Sequence, residues 1–160
     1  MTHRLASDAD FDFIYKVYMD KSSNPYLTYD PMEREAFRPI FDDLLKTGSL
    51  YIVCELESPV GTYRLIPKEN RQKHCVYLGS FGIDSERKGR GYGFKILEEL
   101  KAIVKKEGRS RIELTVDVNN SAAIHLYTKA GFETEGRLRN SYKLASGNSF
   151  YDEYLMAVLL

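Results

Sequence analysis

Glycines at 89, 91 and 93 alternate with Arg90 and Tyr92 in the stretch Glu86-Arg87-Lys88-Gly89-Arg90-Gly91-Tyr92-Gly93. Backbone without side chains turns tightly and leaves its N–H groups open, and successive open amides cradle a phosphate. Ile96, Leu97, Leu100, Ile103 and Val104 then recur on one helical face, so a helix begins at this turn and adds the positive end of its dipole. Lys88 and Arg90 bring cations to the same few residues. A pyrophosphate suits such a turn; a plain strand-to-helix connection is the simpler alternative.

Spacing removes the commoner phosphate binders. A Gly-x-x-x-x-Gly-Lys-Ser/Thr loop does not occur, so nucleotide hydrolysis has no support. A dinucleotide fingerprint requires glycine three residues after its second glycine, and Phe94 stands there, which disfavours NAD and FAD. His-Glu-x-x-His, Gly-x-Ser-x-Gly and paired Cys-x-x-Cys are absent, and no metal is expected.

The elements that must position this turn follow from hydrophobic period and punctuation. A short strand at residues 3–5 leads to Ser7-Asp8, which can cap a helix with Phe11, Ile14, Tyr15 and Tyr18 on one face, ending near Asp20. After a loop, Asp30 as cap and Pro31 in the first turn start a second helix. Its apolar stripe is Phe37, Ile40, Phe41, Leu44 and Leu45, with a kink or break expected at Pro39 and an end at Gly48. Strands at 50–54 and 60–66 form a hairpin about Glu57-Ser58-Pro59, and a strand at 76–83 carries glycines at 79 and 82 that suggest a bulge or a close backbone. Residues 111–118 alternate Ile112, Leu114, Val116 and Val118 with polar residues, as a strand with one face in solvent does. A helix then begins at Asn120 or Ser121 and stops at Ala130-Gly131. Strands at 132–144 and 150–159 surround Ala145-Ser146-Gly147-Asn148. This order describes an α/β (α+β) protein, a mixed sheet with helices on it.

A length of 160 residues suits a single domain over 1–160. Lys plus Arg and Asp plus Glu are 23 each, so the balanced charge predicts no nucleic acid partner and no membrane surface as partner. Cys54 and Cys75 sit in apolar runs as core fillers, the start lacks a signal-like apolar core, and no segment approaches a membrane span. A cytoplasmic protein is expected.

Lys88-Gly89-Arg90-Gly91-Tyr92-Gly93 resembles the Gln/Arg-x-x-Gly-x-Gly/Ala loop of the GCN5-related N-acetyltransferase (GNAT) family, with Lys88 in place of Gln or Arg. The segment Asn120-Ser121-Ala122-Ala123-Ile124-His125-Leu126-Tyr127-Thr128-Lys129-Ala130-Gly131-Phe132 is similar to that family's Asn-x-x-Ala-Ile-x-Leu-Tyr-x-Lys-x-Gly-Phe segment at nearly every defining position. The resemblance is best over 76–160, and the tail looks like the branch that includes ribosomal-protein, polyamine and phosphinothricin-type acetyltransferases. It implies a mostly antiparallel sheet of about seven strands with a central splayed pair, flanked by about four helices.

It also implies acetyl-CoA as co-substrate and an amine as acceptor. The coenzyme core would be about 76–132, with acceptor-site elements at about 8–47 and 133–159. Phe81, Gly82 and Ile83 would offer backbone groups to the pantetheine and the acetyl carbonyl; Lys88, Gly89, Arg90, Gly91, Tyr92 and Gly93 would hold the pyrophosphate. Asn120 would meet the coenzyme, although a helix cap explains it equally, and Tyr127 would be the catalytic proton donor to the departing thiolate. The base stays open: the family's strand Glu falls at Thr115 and another branch's at Ser80, leaving Glu113, Asp117, His74 or a water. A weak-base site favours an α-amine, about a tenth unprotonated at pH 7 for a pKa near ~8, over an alkylamine near ~10.4. A non-catalytic acyl-CoA-binding sensor or partner module is the alternative. A homodimer through the last strand stands open beside a monomer whose core that strand fills.

Overall fold

The computed structural model describes residues 1–27, 29–145 and 147–160. Its strands are β1 (Thr2–Leu5), β2 (Leu50–Glu55), β3 (Ser58–Pro67), β4 (Cys75–Ile83), β5 (Arg111–Asp117), β6 (Glu133–Lys143) and β7 (Phe150–Leu159). Its α-helices are α1 (Phe11–Tyr18), α2 (Arg34–Lys46), α3 (Tyr92–Lys106) and α4 (Ser121–Lys129). The seven strands hydrogen-bond in the order β1-β2-β3-β4-β5-β7-β6. β1–β2, β2–β3, β5–β7 and β6–β7 run antiparallel, and β4–β5 runs parallel. The mixed, mostly antiparallel sheet and its four helices agree with the expected class. Two units divide the chain, the first being Met1–Ile66 with Gly79–Tyr92 and the second Pro67–Leu78 with Gly93–Leu160.

In the first unit, Phe11, Ile14 and Tyr18 of α1 and Phe37, Phe41 and Leu44 of α2 pack on Leu50, Ile52 and Cys54 of β2. The helical period puts these residues on one face of each helix, and the strand period points alternate β2 residues at them. The capping carboxylate at the chain's first turn is that of Asp10, which accepts from Ser7 N and Oγ and is gripped by both Arg4 nitrogens at 2.7 and 2.8 Å. α2 begins at Arg34, not at Pro31. Residues 29–32 are held outside the helix because the Tyr29 ring stacks on Tyr18, Met32 N–H reaches the Met19 sulfur, and Tyr15 OH donates to Met32 O. Pro39 lies inside an unbroken helix. The hairpin turn is also displaced from its expected place. Leu56 and Glu57 carry it at φ +47° and +67°, the left-handed pair that suits a two-residue hairpin, and Ser58 and Pro59 already belong to β3.

In the second unit, α3 buries Ile96, Leu97, Leu100 and Val104, and β5 buries Ile112, Leu114 and Val116. The expected solvent face of β5 does not exist at two positions, since Glu113 and Asp117 are 8% and 5% exposed. The parallel ladder between β4 and β5 runs from Cys75/Arg111 to Tyr77/Glu113 and stops, the feature expected as a splayed pair. β7 lies between β5 and β6 with both edges paired, which excludes a ladder across a dimer through it; β6 ends the order. Of the expected turn at 145–148, Ser146 lies outside the described residues.

Candidate active site

Gly89 and Gly91 adopt φ +75° and +80°, a region in which L side chains are strained, and a Cβ on either would meet no atom within 4 Å. Among the described residues, the N–H groups of Gly89, Arg90 and Gly91 donate to no protein acceptor. The Arg90 side chain is exposed and has no carboxylate partner there either. Directly after them α3 begins, with the unsatisfied N–H groups of a first helical turn. Open amides, a helix N-terminus and a cation therefore coincide at residues 89–92, as a diphosphate requires.

The neighbouring side chains make protein contacts that hold this turn. Lys88 Nζ donates to Ser22 Oγ at 2.6 Å and Ser23 Oγ at 2.7 Å, and contacts Asp20 Oδ1 at 3.4 Å, so its three donors strap the loop after α1 to the glycine turn. Lys16 of α1 pairs with Asp84 at 2.9 Å and Glu86 at 3.2 Å. The Tyr92 hydroxyl donates to Glu55. Gly82 is needed for packing, since a Cβ there would lie 2.6 Å from Val17 Cγ1 of α1. Ser80 just before it sits at φ +47°, the irregularity that the β4 glycines suggested.

Hydrogen bonds from Ser22, helped by the Lys88 charge, hold the Asp20 carboxyl down at about 2. A folded value below the unfolded one of about 3.9 means stability present above that value and lost as pH falls through about 2. Asp20→Asn is expected to flatten the acid limb of stability between about pH 4 and about pH 2, measured by urea unfolding at fixed pH.

In the second unit, Gly93 admits Leu126 of α4, whose Cδ2 would be 2.9 Å from a Cβ there; its missing side chain serves packing. Asn120 caps α4, its Oδ1 accepting from Ala123 N at 3.1 Å. Tyr127 of α4 is buried, its ring 5.8 Å from that of Phe132. Burial first, and Tyr77 second, push the Tyr127 phenol well above its ordinary range, so it stays protonated through neutral and alkaline pH. Tyr77 and Thr115 share a hydroxyl hydrogen bond of 2.9 Å.

The two carboxylates among the base candidates are otherwise occupied. Glu113 is ion-paired with Lys68 and, at 3.3 Å, with Arg111. Asp117 accepts from Asn119 N at 2.6 Å and from the Tyr142 hydroxyl at 2.5 Å. His74 is exposed at the start of β4, where its carbonyl accepts from Ser110 and Arg111 N–H. The Lys88 strap escaped the sequence reading because its partners lie more than sixty residues away and carry no motif. Among the described residues no His, Cys, Asp and Glu cluster could hold a metal ion. No described helix is long and apolar enough to cross a membrane.

The chain belongs to the acetyltransferase (GNAT) family, whose model matches residues 11–132. By class it is an acetyl-CoA-dependent N-acetyltransferase, with acetyl-CoA as a substrate and an amine as acceptor. It is 34% identical over 128 residues to an L-amino acid N-acetyltransferase of Escherichia coli, covering 78% of this chain and 72% of that protein. Two solved structures share the fold at 21% identity. One is a ribosomal-protein-alanine N-acetyltransferase from Brucella melitensis, with a TM-score of 0.78 and all of both chains covered. The other is a spermidine N-acetyltransferase from Vibrio cholerae in complex with CoA and spermine, with a TM-score of 0.82 over 99% of this chain and 94% of that one.

Proposed function

We propose that this chain transfers the acetyl group of acetyl-CoA to the α-amine of an amino acid or of a peptide N-terminus, by direct attack in a ternary complex. The observation that carries the coenzyme half is the turn at 89–92, whose left-handed glycines leave unpaired amides at the start of α3. Those amides and Arg90 hold the pyrophosphate, while Lys88, Tyr92 and Gly93 keep the turn in place. The backbone of Phe81, Gly82 and Ile83 serves the pantetheine amides and polarises the thioester oxygen as charge gathers on it. The amine attacks the thioester carbon, the C–S bond breaks, and Tyr127 donates its proton or a hydrogen bond to the departing sulfur.

The acceptor's own pKa decides the other half. With Glu113 gripped by cations and Asp117 by two donors, the ammonium proton leaves to water. That arrangement favours an α-amine with a pKa near ~8 over an alkylamine near ~10.4. Both cysteines are free and buried, which suits a reducing, cytoplasmic setting. Self-association would use the open edge of β6 in preference to β7.

CoA release from acetyl-CoA with a panel of amino acids, peptides and polyamines tests the reading. The rate is expected to rise with pH until about 8 and then level for the best acceptor. A basic limb continuing to about 10 would assign an alkylamine instead. Coenzyme binding without CoA release for any acceptor would identify a non-catalytic acyl-CoA-binding module instead.

A further inference from the structure

The cations around the glycine turn divide into those that face a carboxylate and those that do not. Lys16 pairs with Asp84 and Glu86, and Lys88 is taken by Ser22, Ser23 and Asp20. Arg90 and Arg87 have no carboxylate within ion-pair distance among the described residues. Arg90 is exposed, whereas Arg87 is half-buried at the end of the short 3₁₀ turn Ser85–Arg87, its N–H donating to Asp84 O at 2.8 Å. The neighbours of the Arg87 guanidinium are two neutral hydroxyls. Nη2 reaches Ser58 Oγ at a long 3.3 Å, and its charge acts on the Tyr92 hydroxyl, which donates its own hydrogen to Glu55. A guanidinium presents five donors in a planar fork, and an oxyanion that takes two of them at once is its strongest partner.

These contacts place the fork beside the open amides. Ser58 starts β3 and Tyr92 starts α3, so the Arg87 side chain reaches toward the first residue of α3, with Gly89, Arg90 and Gly91 between the two in the chain. Gly89 follows Arg87 by two residues, a backbone span of about 7 Å at most. The amides, the helix start and Arg90 already account for a diphosphate. A second anionic group arriving on the same ligand would meet Arg87. Coenzyme A carries one, a phosphate monoester on the 3′-oxygen of its ribose with about two negative charges near neutral pH. A ligand with the diphosphate alone would leave the Arg87 fork facing hydroxyls.

We propose that Arg87 binds the 3′-phosphate of the coenzyme and so selects coenzyme A over its 3′-dephospho form. The proposal rests on the acetyl-transfer reading above and narrows its co-substrate. Arg87 precedes the stretch from Lys88 to Gly93 whose spacing matches the family loop, so that motif gives it no role. Its fork would bond two oxygens of the monoester while the amides keep the diphosphate.

Calorimetric titration of CoA and of 3′-dephospho-CoA into the full chain reads the subsite without turnover. The wild-type chain is expected to bind CoA about tenfold or more tighter than the dephospho form, the scale of a hydrogen bond to a charged group. Arg87→Gln should bring CoA down to the affinity of the dephospho form and leave the latter within about twofold. Arg87→Lys, which keeps the charge and loses the fork, should retain only part of the preference. Arg90→Gln should weaken both carriers alike, because it acts on the diphosphate they share. Equal affinities in the wild type, or an unchanged preference in Arg87→Gln, would overturn the proposal. So would a loss of the same factor for both carriers in Arg87→Gln, the mark of a residue that only ties the hairpin to the turn. A preference lost in Arg90→Gln instead would move the 3′-phosphate to Arg90 and overturn it too. Failure of both carriers to bind the wild-type chain would sink the transfer reading itself, and the subsite with it. Discrimination that depends on Arg87, without CoA release from acetyl-CoA for any amine, would support the subsite and sink transfer alone.

Discussion

Replacing Tyr127 with phenylalanine is expected to lower kcat by about two to three orders of magnitude and to leave acetyl-CoA affinity nearly unchanged. The size follows from the leaving group. Without a donor, the departing sulfur takes its full negative charge, and general acids at such positions contribute about 10²–10⁴-fold. Tyr127 is buried, and its phenol is held protonated by that burial, so it can act as donor across the working pH range. Its own ionisation therefore adds no alkaline limb to the wild-type profile. Phenylalanine keeps the ring contact with Phe132 and loses only the hydroxyl, so folding should survive. Steady-state kinetics with a saturating acceptor, together with calorimetry of acetyl-CoA binding, separate the two effects. An unchanged kcat would remove Tyr127 from the chemistry, and a lost affinity would make it a binding residue.

What could be read in advance divides by the range of the interaction that decides it. The glycine turn, the Asn120 cap and the buried stripes of α2 and α3 depend on neighbours within a few residues, and there the period and the turn chemistry sufficed. The start of α2 moved because Tyr29 and Met32 are recruited by residues of α1 and its C-cap Met19, ten or more positions earlier. Strand β7 inserts between β5 and β6, an order that alternation along a strand does not encode, so the expected free edge belongs to β6. The same insertion helps to cover β5, and its polar positions at 113 and 117 became interior ones with partners from other segments. The motif spanning 88–93 marked the glycine turn with its open amides, but the protein partners of its side chains were not legible in it. In the folded chain Lys88 and Tyr92 bond to other protein groups, and Gly93 admits Leu126.

Glu113 should prove to be a stability residue: Glu113→Gln is expected to lower unfolding free energy by about 2 kcal/mol while kcat stays within about twofold of wild type. The carboxylate is nearly buried between two cations, Lys68 and Arg111, whose side chains are 31% and 18% exposed. An amide in its place keeps the shape and removes the charge that both cations face. Arg111 retains Glu135, which holds its two terminal nitrogens at 2.5 and 2.8 Å, so the larger part of the loss falls on Lys68. Lys68 recovers some hydration through its exposed part, which places the cost below the about 3–5 kcal/mol of a fully buried broken pair. For a chain of this length the loss corresponds to a Tm lower by about 4–8 °C. Urea unfolding of Glu113→Gln beside Glu135→Gln, whose carboxylate is 40% exposed, measures the contrast, with the second variant expected to change little. A base at this position would give the opposite pattern, a collapsed kcat with intact stability. The ion pairs leave Glu113 no oxygen free of a cation, which is why the structural role is the expected outcome.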